Sequence, residues 1–153
     1  MSNDRLTLLV PVDFSAPSQR ALAWAFDYGQ RAPCDIHLLH VVERHLSLSD
    51  LTDPGLSGLQ RELGEVSRAA ELELARMAPT EAARGLIGKL HHHVAIGRPG
   101  AEILRMASKL DADMIVMGTH GLSGAVERLF VGSVAQKVVR GAPCTVVSVK
   151  AKI

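Results

Sequence analysis

Residues 6–29 read "LTLLVPVDFSAPSQRALAWAFDYG". Leu6 to Val12 is a continuous apolar run of strand length. A continuous run, as opposed to an alternating one, belongs to a strand buried on both faces, as in a parallel sheet. Pro11 has no N–H to give a ladder, so it belongs where a central ladder is ending. Asp13 follows the run directly. Ser15 has the chemistry of a helix N-cap, and Pro17 is tolerated in a first turn. Leu22, Ala25, Phe26 and Gly29 then share one face at helical spacing. A buried strand passing through a short polar turn into an amphipathic helix is the opening of a βα unit.

The same alternation continues along the chain. "CDIHLLHVV" (Cys34 to Val42) reads as a second buried strand. A loop with Asp53-Pro54-Gly55 turn chemistry follows. Leu59, Leu63, Val66, Ala70, Leu74 and Met77 step by three and four and predict a long helix with a core-facing stripe, stopped by Pro79. Lys89 to Ile96 is a third strand, Ala101 to Leu110 a helix, and Asp113 to Met117 a fourth strand. Val134 to Arg140 is helical, and "CTVVSV" (Cys144 to Val149) is a fifth strand. Strands alternating with helices predict an α/β fold, a five-stranded mostly parallel sheet with helices on both faces. Winding outward from the first strand and returning to its other side gives a Rossmann-like order, 3-2-1-4-5. In such a sheet, ligands sit beyond the carboxyl ends of the strands where the winding reverses.

A chain of 153 residues suits one domain, 1–153. The 47% hydrophobic content with only 3% aromatics implies an aliphatic core. A formal net charge of +1 carries no basic excess for nucleic acid. No apolar run reaches the roughly 18 residues of a membrane span. The start, Met1-Ser2-Asn3-Asp4-Arg5, is polar and short, so no secretory signal and a cytoplasmic location are expected. Cys34 and Cys144 read as buried reduced thiols.

Two strand ends carry chemistry. Asp13 closes the first. The fourth runs into "MGTHGLSGAVERLFVGS" (Met117 to Ser133). Gly118 and Gly121 let a backbone approach a ligand. Gly132-Ser133 opens a helix whose first N–H groups lack internal acceptors and attract anions. Ser123 and Ser133 add hydroxyl donors. The spacing suits phosphate, and it also suits a glycine-rich connection with no ligand. Asp13 suits ribose hydroxyls, and it also suits an Asx-turn before the Ser15 helix.

"VPVDFS" (10–15), "GRPGAEILRMASKLDADMIVMGTHG" (97–121) and "GSVAQKVVRGAPCTVVSV" (132–149) together resemble the universal stress protein family, end to end from Leu6 to Val149. The resemblance is to the adenine-nucleotide-binding branch, marked by Gly-x2-Gly-x9-Gly-Ser/Thr. Here Gly118-x2-Gly121 is followed by ten residues, not nine, before Gly132-Ser133. The resemblance implies that Pro11, Val12 and Asp13 touch adenine and ribose and that Val41 lies beside the adenine. It implies that Met117, Gly118, His120 and Gly121 form the fourth-strand end. Gly132, Ser133 and Val134 then form the phosphate cradle. It also implies ATP and a homodimer through the C-terminal strand, Thr145 to Val149; Mg²⁺ could arrive with ATP, held mostly by phosphates and water. The alternative is a nucleotide-free dimeric scaffold or chaperone-like protein of the same fold.

Turnover has little support in the sequence. A Walker loop supplies a lysine before its hydroxyl, and none precedes Ser133. Arg128 is the only Lys or Arg in the glycine loop, with Glu127 beside it. Slow hydrolysis at most is expected, with no catalytic residue assigned. His91-His92-His93 invites a metal reading, with His91 and His93 on one strand face, but no neighbouring Cys or carboxylate completes a site. His37 and His40 are expected to pack at the strand surface or to hydrogen-bond locally.

Overall fold

A computed structural model of the chain describes residues 5–44, 55–80, 84–119 and 132–150. The elements run β1 (Leu6–Pro11), α1 (Ala16–Gly29), β2 (Cys34–Glu43), α2 (Leu56–Arg76), β3 (Ile87–Gly97), α3 (Pro99–Lys109), β4 (Met114–Gly118), α4 (Ser133–Gly141) and β5 (Thr145–Val149). The five strands form one sheet in the order β3-β2-β1-β4-β5. Every pairing is parallel. The strand order and the α/β class agree with the sequence reading.

Burial follows from that order. Leu8 and Val10 of β1 point to one face, where they meet Ala21, Leu22 and Ala25 of α1 and Leu74 of α2. Leu9 points to the other and meets Ile103, Met106 and Ala107 of α3 and Ala135 and Val138 of α4. All three strand residues are fully buried. This two-sided burial is why the run is continuously apolar.

Pro11 lies in a central strand, paired with Leu39. The Val12 N–H goes to the Leu39 carbonyl at 2.8 Å. Alternation therefore turns position 11 toward β4, where the β1–β4 register has already ended at Leu9↔Ile115. No ladder bond is lost to the ring. The ladder reaches Val12, but the strand itself closes at Pro11, one residue earlier than the apolar run suggests.

The α2 stripe departs from expectation. Ala70 and Leu74 are buried, but Val66 is 43% exposed. The helix starts at the carboxyl ends of the strands and runs back along the sheet. Its second half covers β2 and β3, while Val66 stands at the rim of the cavity described next.

Candidate functional site

In a parallel α/β sheet, every helix that follows a strand begins at the carboxyl end. The first turns of α1, α3 and α4 therefore gather there with the tips of β1, β2 and β4. Between them lies a cavity of about 440 Å³, a size suited to a small-molecule ligand. Pro11, Val12 and Asp13 come from the β1 end, Val41 from β2, Met117 and Gly118 from β4, and Gly132, Ser133 and Val134 from the start of α4. The winding reverses between β1 and β4, so this is the switch point of the sheet. His120 and Gly121 lie outside the described residues, as do Asp53, Pro54, Ser123, Glu127 and Arg128.

The β1–α1 turn is tightly specified. Asp13 Oδ1 accepts from the Ser15 amide at 3.0 Å and from Ser15 Oγ at 2.5 Å. The Ser15 hydroxyl oxygen also accepts from the Ser18 amide at 3.4 Å, completing the N-cap. The Asx-turn, the alternative to a ribose role for Asp13, is thus present, and the same carboxylate lines the cavity. Between them Phe14 adopts φ 63°, a left-handed conformation that bulky residues seldom take.

The opposite wall is a helix N-terminus. Gly132 is the N-cap of α4 and makes no side-chain capping bond. Its carbonyl accepts from Gln136 at 2.9 Å, so the helix proper starts at Ser133. The amides of the first turn and the positive end of the helix dipole face the cavity end. Among the described lining residues the charged side chains are Asp13 and Glu43, with no lysine or arginine. Among the described residues, the groups placed to meet an anion are the main-chain amides and hydroxyl of the α4 start.

Thr119, only 3% exposed, adds a constraint that the sequence reading passed over. Its carbonyl accepts from the Gly132 amide at 2.8 Å, and its own amide reaches the Val149 carbonyl at 3.3 Å. The chain therefore leaves and re-enters the site at one hydrogen-bonded point. The extra residue between Gly121 and Gly132 falls between these fixed anchors, and the start of α4 keeps its place at the cavity. His40, Glu43 and Val66 also line the cavity without having been assigned to it. His40 was expected to pack at the strand surface or bond locally; its Nδ1 instead lies 2.8 Å from the carbonyl of Val12, 28 residues earlier in the chain.

Among the described residues, His37, His91, His92 and His93 lie outside the cavity lining. His37 of β2 stacks on His91 of β3, with ring centroids 4.4 Å apart, and its Nδ1 lies 2.9 Å from His93 Nε2. Burial, then the neighbouring His91 and His93, lowers the His37 pKa to about 4. Burial also lowers His93 and His92. The rings lie face to face, and among the described residues no group of three potential ligands is arranged to hold a metal ion. Burial raises the pKa of both Cys34 and Cys144, which are free thiols, away from the thiolate form. No described helix is long and apolar enough to cross a membrane.

Comparison with known proteins agrees with this architecture. Residues 5–150 match the model of the universal stress protein family. A universal stress protein of Thermus aquaticus is 38% identical over 146 residues, covering 94% of this chain and 98% of the relative. The solved universal stress protein UspA of Lactobacillus plantarum superposes with a TM-score of 0.78 at 29% identity, over 96% of this chain and 99% of that one. A family member from Arabidopsis thaliana, solved with AMP bound, shares the fold at 19% identity and a TM-score of 0.55, over 96% and 92% of the two chains. With the family model spanning the whole α/β unit from β1 to β5, this chain belongs to the universal stress protein family.

Proposed function

We propose that this chain is an adenine-nucleotide-binding stress or regulatory protein that acts by binding more than by turnover. The observation that carries this reading is the convergence of nine separately assigned residues, Pro11, Val12, Asp13, Val41, Met117, Gly118, Gly132, Ser133 and Val134, on one 440 Å³ cavity at the switch point. The apolar wall of Leu39, Val41, Ile103 and Met117 suits a base. Asp13 suits ribose hydroxyls, because a carboxylate accepts from them and repels phosphate. The amides at the start of α4 suit the phosphates. His120 and Gly121 complete the cradle in this reading. The AMP held by the Arabidopsis relative supports the ligand class. ATP is the proposed form, with Mg²⁺ held mainly by its phosphates and water.

The chain is proposed to work as a single domain and as a homodimer through Thr145 to Val149. That strand lies at the sheet edge, where its backbone offers a pairing template. The direct test is the mass spectrum of small molecules released by acid precipitation of freshly purified protein, paired with melting in millimolar ATP and Mg²⁺. Released adenine nucleotide, or a melting temperature raised by several degrees, is expected. Protein that releases none, and melts unchanged in ATP, ADP and AMP, contradicts the reading and favours a nucleotide-free scaffold.

A further inference from the structure

One side chain grips the turn carrying Asp13 from outside it. His40, near the end of β2, places Nδ1 2.8 Å from the Val12 carbonyl. A carbonyl only accepts, so the proton sits on Nδ1. Val12 also gives its amide to the Leu39 carbonyl at 2.8 Å. Both backbone groups of Val12 are therefore held by β2, one through the main chain and one through the imidazole. The same ring packs against Phe14, with centroids 4.6 Å apart and planes 35° from parallel. Phe14 is the residue at φ 63°. A left-handed phenylalanine persists only where its surroundings hold it. One imidazole thus fixes the residues on both sides of Asp13, and it does so from the cavity wall.

We propose that His40 is a positioning residue for the recognition of ligand hydroxyls by Asp13. The proposal rests on the nucleotide reading above. With the ring in place, Phe14 stays left-handed and Asp13 keeps one aim into the cavity. Without it, the turn relaxes toward ordinary backbone angles and the carboxylate loses its register with the sugar. The loss falls on the hydroxyls of the ligand and spares the base and phosphate, which other elements hold.

The test titrates wild type, His40→Phe and His40→Asn with ADP and with its 2′,3′-dideoxy analogue by calorimetry. Wild type is expected to prefer ADP about tenfold, the worth of a hydrogen bond to a charged group. Phe keeps a flat ring but has no donor, and should reduce that preference to about twofold, with the loss on ADP several-fold larger than the loss on the dideoxy analogue. Asn places an amide nitrogen where Nδ1 stands and should retain about fivefold. Equal losses on both ligands, or an undiminished preference in folded His40→Phe, overturn the proposal. A wild type that binds both ligands equally overturns it while leaving the nucleotide reading intact; a wild type that binds neither overturns both. Nitrogen-15 imidazole spectra of the wild type provide a check that needs no variant. The Nδ1–H form is expected, and a dominant Nε2–H tautomer contradicts the clamp.

Discussion

Gly118 at the tip of β4 abuts Pro17 in the first turn of α1. A Cβ added to Gly118 would stand 2.9 Å from the Pro17 carbonyl carbon and 3.0 Å from its oxygen. Backbone atoms at that distance cannot step aside as the end of a long side chain can. The glycine therefore has a packing reason of its own, which a reading based on ligand approach alone does not supply. It also lets the first turn of α1 close on the tip of β4 beside the cavity.

Gly118→Ala should lower stability by about 1–3 kcal/mol through overpacking, read as a shift in the urea midpoint with an unchanged slope. It should also weaken nucleotide binding, since relief of the clash moves α1 and its Asp13 turn. Gly64→Ala is the contrasting control. It lies inside α2 with nothing within 4 Å of the added Cβ. Helix propensity then predicts a gain of about 0.5–1 kcal/mol. Equal effects at the two positions would refute the packing account of Gly118.

Stability should fall in mild acid because of the histidine stack. In the unfolded chain His37 titrates near 6.5; in the fold burial and the facing His91 and His93 hold it near 4. Asp35 opposes that shift at His37, while Lys109 reinforces the lowering at His93. As pH falls, the unfolded chain takes up protons first, so unfolding is favoured. The loss begins below about 6.5 and is complete near 4 for His37. Denaturation midpoints measured across that window should decline, and His37→Phe should flatten the decline. A wild-type profile flat between pH 7 and 4.5 contradicts it.

Ser15→Ala removes two bonds at once, the donation to Asp13 Oδ1 and the cap on the Ser18 amide. Loss of an N-cap predicts about 1 kcal/mol of stability. Affinity for a ribonucleotide should fall as well, because Asp13 keeps only the Ser15 amide of its two bonds to that residue. Ser15→Thr, which keeps the hydroxyl, should recover most of both; failure of the threonine variant to do so would separate the cap from the bond to Asp13.

Much of this architecture was legible because its causes are local. The continuous run through Leu8, Leu9 and Val10 announced a strand covered on both faces, and Ser15 announced the helix start. The positions at the strand tips were legible through their motif. What escaped depends on elements distant in sequence. The clash of Gly118 with Pro17 joins residues a hundred apart, and no periodicity encodes it. Thr119 read as loop, although its backbone pins the start of α4 through Gly132. Val66 fitted the helical stripe by spacing, but α2 begins beyond the strand ends, so spacing alone could not tell core from cavity rim. His40 fitted a strand-surface residue that packs or bonds locally, and only the left-handed turn of Phe14 across from it revealed what its bond to the Val12 carbonyl holds.

In the proposed function, the switch-point cavity binds an adenine nucleotide through the β1 tip and the amides opening α4. Calorimetric titration of nucleotide-free wild type with ATP and Mg²⁺, alongside Gly132→Val, tests it most directly. Micromolar affinity is expected, about −8 kcal/mol, with binding lost in a Gly132→Val protein that still melts cooperatively. No heat from wild type at millimolar ATP, ADP or AMP, or equal affinity in the two proteins, would contradict it.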